Sequence, residues 1–118
     1  MSLIMPEQRT RLLANGCMRD VDHVPLVKLF NPLGLGVWLV TELDTDDDTL
    51  FGLADLGEPE LGSFSLAEIS AVRLPFGLGI ERDLTFASAF PLSVWTEVSR
   101  RTGSIRAAEQ LLKTLGSA

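Results

Sequence analysis

The sequence predicts an α+β domain: an antiparallel meander of about five strands packed with an N-terminal helix, a short middle helix and two C-terminal helices. Three observations predict it. Short apolar segments between residues 26 and 86 are punctuated by Gly, Pro and Asp turns. Those turns are too short for crossover connections, which favours antiparallel neighbours. From residue 91 onward the apolar residues recur at helical spacing.

The first helix is predicted over 6–15. Pro6 suits a first helical position, Glu7 sits at the positive end of the helix dipole, and Gly16 can stop the helix. After a polar link through His23 and Pro25, residues 26–30 read as a strand ending at Asn31-Pro32. Gly34-Leu35-Gly36 turns the chain into a second strand, 37–43, whose nearly continuous apolar run calls for cover on both faces of the sheet. Strands follow at 50–56 and 61–64. Ser65 caps a short helix reaching Val72, with Glu68 placed to complete a capping box. A fifth strand is predicted over 80–86, with Ile80, Arg82, Leu84 and Phe86 on one face and Glu81, Asp83 and Thr85 on the other. Helices over 91–101 and 105–115 complete the chain, separated by Gly103, with Ser104 capping the second.

The 118 residues fit one domain, 1–118, and 46% apolar content fills a core without metal or disulfide staples. The lone Cys17 cannot form an internal disulfide and reads as a small buried hydrophobe. No apolar run is long enough to cross a membrane, and no export signal opens the sequence, so a cytoplasmic location is expected. The formal charge of -6 is unevenly spread: residues 41–60 hold eight acids and no base, and the other 98 residues hold 8 acids and 10 bases. Overall acidity argues against a general nucleic-acid coat protein.

Several blocks carry a resemblance. Residues 27–30 (VKLF), Pro32, 38–44 (WLVTELD), 51–57 (FGLADLG), 59–62 (PELG), 65–69 (SLAEI) and 77–86 (GLGIERDLTF), with 7–16 (EQRTRLLANG) and Leu92-Ser93, together resemble the bacterial family catalogued as domain of unknown function 2958. The resemblance runs from about residue 5 to about residue 105 and implies no activity. It does imply a cytoplasmic accessory protein of plasmids and other mobile elements. Residues 106–118 extend past it as a C-terminal helical extension, and no role is assigned to Met1-Ser2-Leu3.

Four groups of residues are candidate sites. Asp44, Asp46, Asp48 and Asp55 stand at positions 1, 3, 5 and 12 of a possible calcium loop. Thr49 occupies the position where that loop needs Gly, and strands flank the segment, so the competing reading is a solvated hairpin loop. Glu42, Asp55, Glu60, Arg82 and Asp83 form a second set. Glu42 is expected to share a face with Trp38 and Val40, and Arg82 one with Ile80, Leu84 and Phe86. Both would then be partly buried, giving either a structural pair of Arg82 with Glu42 or Glu60 or a ligand- or partner-binding pocket. Arg100, Arg101 and Arg106 belong to a segment, 100–113, of local charge +3 that faintly resembles the turn of a helix-turn-helix and could touch phosphate. Cys17 and His23 have no third orienting group at a recognisable spacing, and the Gly-Leu-Gly stretches lack the pattern of a phosphate cradle, so neither catalysis nor a cofactor is expected from them.

The reading that follows is a non-enzymatic cytoplasmic module that binds a protein partner. Nucleic-acid association through the last two helices is the alternative, a ligand or enzyme site around Arg82 the second alternative, and an acidic DNA mimic a minor one.

Overall fold

Strand β2, Val37–Leu43, is buried at every position, as its apolar run requires. In the computed structural model, which describes residues 2–115, it is the middle strand of a five-stranded antiparallel sheet of order β4-β3-β2-β1-β5. The others are β1 (Val27–Phe30), β3 (Thr49–Asp55), β4 (Pro59–Ser65) and β5 (Glu81–Arg82). The first four form a meander, and β5 joins the free edge of β1. Two helices serve the first face, α1 (Pro6–Gly16) and α2 (Leu66–Ser70); two serve the second, α3 (Leu92–Thr102) and α4 (Ile105–Thr114).

Each face has its own core. On the first, Leu12 of α1 and Ile69 of α2 pack with Val27, Leu29, Trp38, Val40, Leu43, Leu50 and Ile80. On the second, Trp95 of α3 and Ile105, Ala108 and Leu112 of α4 cover Val37, Leu39 and Leu53. Burying such side chains stabilises by about 1.5–3 kcal/mol each. Ala108 and Leu112 lie in the segment read as an extension, and they help close the second core. Residues 116–118 of that segment, and Met1, lie outside the described residues.

The helix ends carry a recurrent device. Ser65 and Ser104 cap α2 and α4 as their positions predict, accepting from the amides of Glu68 and Ala107. A distant aspartate adds a further acceptor at three helix starts. Asp48 accepts from the Ala67 amide of α2, Asp22 from the Ser93 amide of α3, and Asp55 from the Ile105 amide of α4. A carboxylate there also meets the positive end of the helix dipole.

Two expectations fail on geometry. The register of β2 against β3 slips between Val40 and Glu42, so Thr41 forms a bulge. Val40 and Leu43 therefore both serve the first face, and Glu42 turns to the second, opposite Phe51, not to the face of Trp38 and Val40. The bulge is held by the Thr41 hydroxyl donating to the Phe51 carbonyl and by the Asn15 side chain donating to the Thr41 carbonyl. Gly52 is required beside it, because a Cβ there would overlap the Leu39 carbonyl oxygen. The second failure is the fifth strand, which spans only Glu81–Arg82. Asp83 accepts from both the Thr85 amide and hydroxyl, and this local turn takes the chain off the sheet. Leu84 is consequently exposed, Ile80 joins the first core and Phe86 packs against the second.

Candidate functional site

The polar residues singled out in the sequence separate into four places. Asp55 and Glu60 lie on adjacent strands but do different things. Asp55 is buried and fully engaged, its two oxygens accepting from Gly57 and Ile105. Glu60 is exposed on edge strand β4, opposite Ala54. The expected pair of Arg82 with Glu42 or Glu60 does not form. Arg82 is opposite Leu29 at the far edge of the sheet, and its guanidinium donates to the Ser2 carbonyl at 3.0 Å. Ser2 and Leu3, given no role in the sequence reading, thus contact the fold: Leu3 packs on the first core.

Nor does the acidic segment gather its carboxylates around a common centre. Asp44, Asp46 and Asp48 sit in the turn between β2 and β3, whereas Asp55 is at the other end of β3. Asp46 accepts from Thr49 and Asp48, and the Thr49 hydroxyl and these amides hold its carboxyl below the usual carboxylate value. Asp44 accepts from Thr45 and pairs with Arg19. Asp48 is engaged with Ser65 and Ala67, and Asp47, at positive φ, pairs with Arg9. The expectation of a solvated hairpin loop describes this geometry. Among the described residues no three His, Cys, Asp or Glu side chains are placed to share a metal ion.

Cys17, expected to be buried, is exposed just past α1. The His23 ring Nε2 lies 3.1 Å from the Asn15 carbonyl and 2.7 Å from that of Met18, so the protonated Nε2 donates to the α1 terminus. Of the three arginines, Arg101 pairs with Glu97 one turn back on α3, and Arg106 donates to the Asn31 and Gly34 carbonyls of the β1–β2 turn. Arg106 is therefore directed at the sheet end and away from a shared stripe with Arg100 and Arg101.

Two of the concave sites among the described residues hold the polar side chains that bear on function. The larger is an open groove of about 950 Å³ between the β1–β5 edge and α4, bordered by Phe30, Pro32, Leu84, Arg106, Gln110 and Lys113. Lys28 stands in it between two carboxylates, 2.7 Å from Glu109 and 3.4 Å from Asp83. The Lys28 and Glu109 side chains are only 12% and 14% exposed. Burial raises the Asp83 carboxyl, but hydrogen bonds from Thr85 and the Lys28 charge outweigh it and leave Asp83 below its ordinary value. Lys28 and Glu109 were not singled out in the sequence. The legible signal was a lysine in the apolar strand Val27–Phe30, which needs a partner once that strand lies inside the sheet.

The smaller site is a cavity of about 330 Å³ where the bulge turns Glu42 outward, lined by Glu42, Phe51, Ser63, Thr49, Arg19 and Asp44. Glu42, Phe51 and Ser63 are register partners on three successive strands, so they stand in one row across the sheet.

The sheet, its two helical layers and these two polar concavities define a small three-layer α+β domain with ligand- or partner-sized recesses at two sides. The chain belongs to the family described as "Protein of unknown function (DUF2958)", whose model matches residues 3–106. The match ends at the second residue of α4. No curated protein and no solved structure gives a significant match to the chain. No helix of the described residues is long and apolar enough to cross a membrane.

Proposed function

We propose that this chain is a cytoplasmic, non-enzymatic interaction module, carried by a plasmid or other mobile element, that binds a protein partner in the groove between β5 and α4. The observation that carries the reading is the charge balance of that groove beside an exposed apolar rim. Lys28 pairs with both Asp83 and Glu109, and Leu84, 80% exposed, lines the same groove as Phe30 and Pro32. The lining sets Lys28, Arg82, Arg106 and Lys113 among Glu81, Asp83 and Glu109, a mixture of both signs beside apolar side chains that suits a polypeptide segment better than a uniformly charged phosphate backbone. Arg106 and Lys113 lie two turns apart on α4 and form no ion pair among the described residues, which leaves them for carboxylates of the partner.

Capture from a native lysate with the tagged full chain, with and without nuclease, tests the reading. Nuclease-resistant proteins retained by the wild type and lost with Leu84→Asp or with Arg106→Glu/Lys113→Glu are expected. Retention that disappears on nuclease treatment favours the nucleic-acid alternative, and proteins retained equally by all variants place the contact elsewhere.

A further inference from the structure

The cavity at the bulge holds a charge for which the fold supplies no counterpart. Glu42 is 9% exposed, and among the described residues no side chain or amide donates to its carboxylate and no cation lies within ion-pair distance. The Glu42 side chain is largely covered while its carboxylate oxygens keep contact with solvent, so a ligand entering the cavity meets a charge that no protein group has claimed. The nearest candidate inside the chain, Arg19, lines the same cavity, but its guanidinium is turned to Asp44 at 3.3 Å and its side chain is 65% exposed.

The rest of the lining states what would fit. Phe51, the register partner of Glu42, contributes an aromatic wall whose π-face attracts cations. Next along the row, Ser63 brings an exposed hydroxyl. The Thr49 hydroxyl donates to Asp46 and keeps its lone pairs for an incoming N–H. An anion is excluded by the two carboxylates. A hard divalent ion needs six or more oxygens, while Asp44 is already engaged by Arg19 and the Thr45 amide. A volume of about 330 Å³ is at the small end of ligand cavities.

We propose that this cavity binds an alkylammonium group, with the Glu42 carboxylate as counter-ion, the Phe51 ring against the charged carbon chain and Ser63 as a hydrogen-bond acceptor. A free amine and a lysine side chain share that chemistry. The site is separate from the groove between β5 and α4, so it stands or falls independently of the partner-binding reading.

The test is a titration of the full chain, followed by amide NMR at constant ionic strength, with n-butylammonium chloride, the tripeptide Gly-Lys-Gly, and 1-pentanol as an uncharged alcohol at least as long and as apolar. Saturable shifts at Glu42, Phe51 and Ser63 are expected with the ammonium probes and absent with pentanol. Stronger binding of butylammonium assigns the site to a free amine, and equal or stronger binding of the tripeptide assigns it to a protruding lysine. Glu42→Gln should weaken binding by about tenfold or more, and Phe51→Leu by about two- to fivefold. Glu42→Gln keeps the side-chain shape and removes an unpaired charge, so its melting temperature should equal or exceed that of the wild type. The proposal is overturned by an absence of saturable shifts with either ammonium probe, by equal binding of pentanol, or by unchanged affinity in folded Glu42→Gln.

Discussion

The Asp55 carboxylate at the end of β3 accepts a hydrogen bond of 2.8 Å from the Ile105 amide, the first residue of α4, across fifty positions of sequence. The same carboxylate accepts from Gly57 in the following turn. One buried side chain thereby fixes a strand end, a hairpin turn and the start of a helix.

Asp55→Ala should therefore destabilise the fold by about 2–3 kcal/mol, since it strands two amides and removes a charge from a helix start. Urea unfolding followed by Trp fluorescence measures it. Asp55→Asn keeps one carbonyl acceptor and should cost about half as much.

Lys28 tests the groove. Lys28→Met leaves Asp83 and Glu109 facing each other with no cation between them and should cost about 2 kcal/mol, below the value for fully buried pairs because Asp83 keeps contact with water. The triple change Lys28→Met, Asp83→Asn, Glu109→Gln should recover most of that loss by denaturant midpoint, which separates charge imbalance from lost packing.

Acid should act through the same group. Asp83 titrates below its ordinary value of 3.8 in the folded chain, so its contribution to stability is fully present above that value and is lost as pH falls through the lower, folded value. Stability measured downward from pH 5 should decline less steeply in Asp83→Asn than in the wild type. A carboxyl-carbon NMR titration reads the shift directly.

Gly52→Ala tests the bulge. The added Cβ runs into the Leu39 carbonyl, in backbone that cannot move aside without breaking the sheet, and should cost about 3 kcal/mol or more in thermal or denaturant unfolding.

What could be read in the sequence was local. The buried run of β2 follows from consecutive apolar residues, and Ser65 and Ser104 announce their helices because a cap acts within three residues. The aspartates at the helix starts follow a different rule. Asp22 and Asp48 reach Ser93 and Ala67 through tertiary placement, so no spacing encodes them, and much of the acidity that suggested a cation site is spent on helix and turn amides. The face of Glu42 was misjudged because strict alternation was carried through a bulge. A signal was present: a glutamate in phase with Trp38 and Val40 conflicts with Leu43 pointing away from them, and one inserted residue resolves both. The pairing of Arg82 with a carboxylate assumed a long fifth strand, which the Asp83–Thr85 turn cuts short.

Thr41 also acts as an offset in the reading frame of the sheet. Everything in β2 before it counts outward from one phase, and everything after it from the other. Pairing the same seven residues without the bulge would send the Glu42 carboxylate into the layer beneath α1 and Leu43 out to the cavity. The recess beside Phe51 thus exists because one position is spare, and its polarity is set by a backbone irregularity as much as by the side chains that line it.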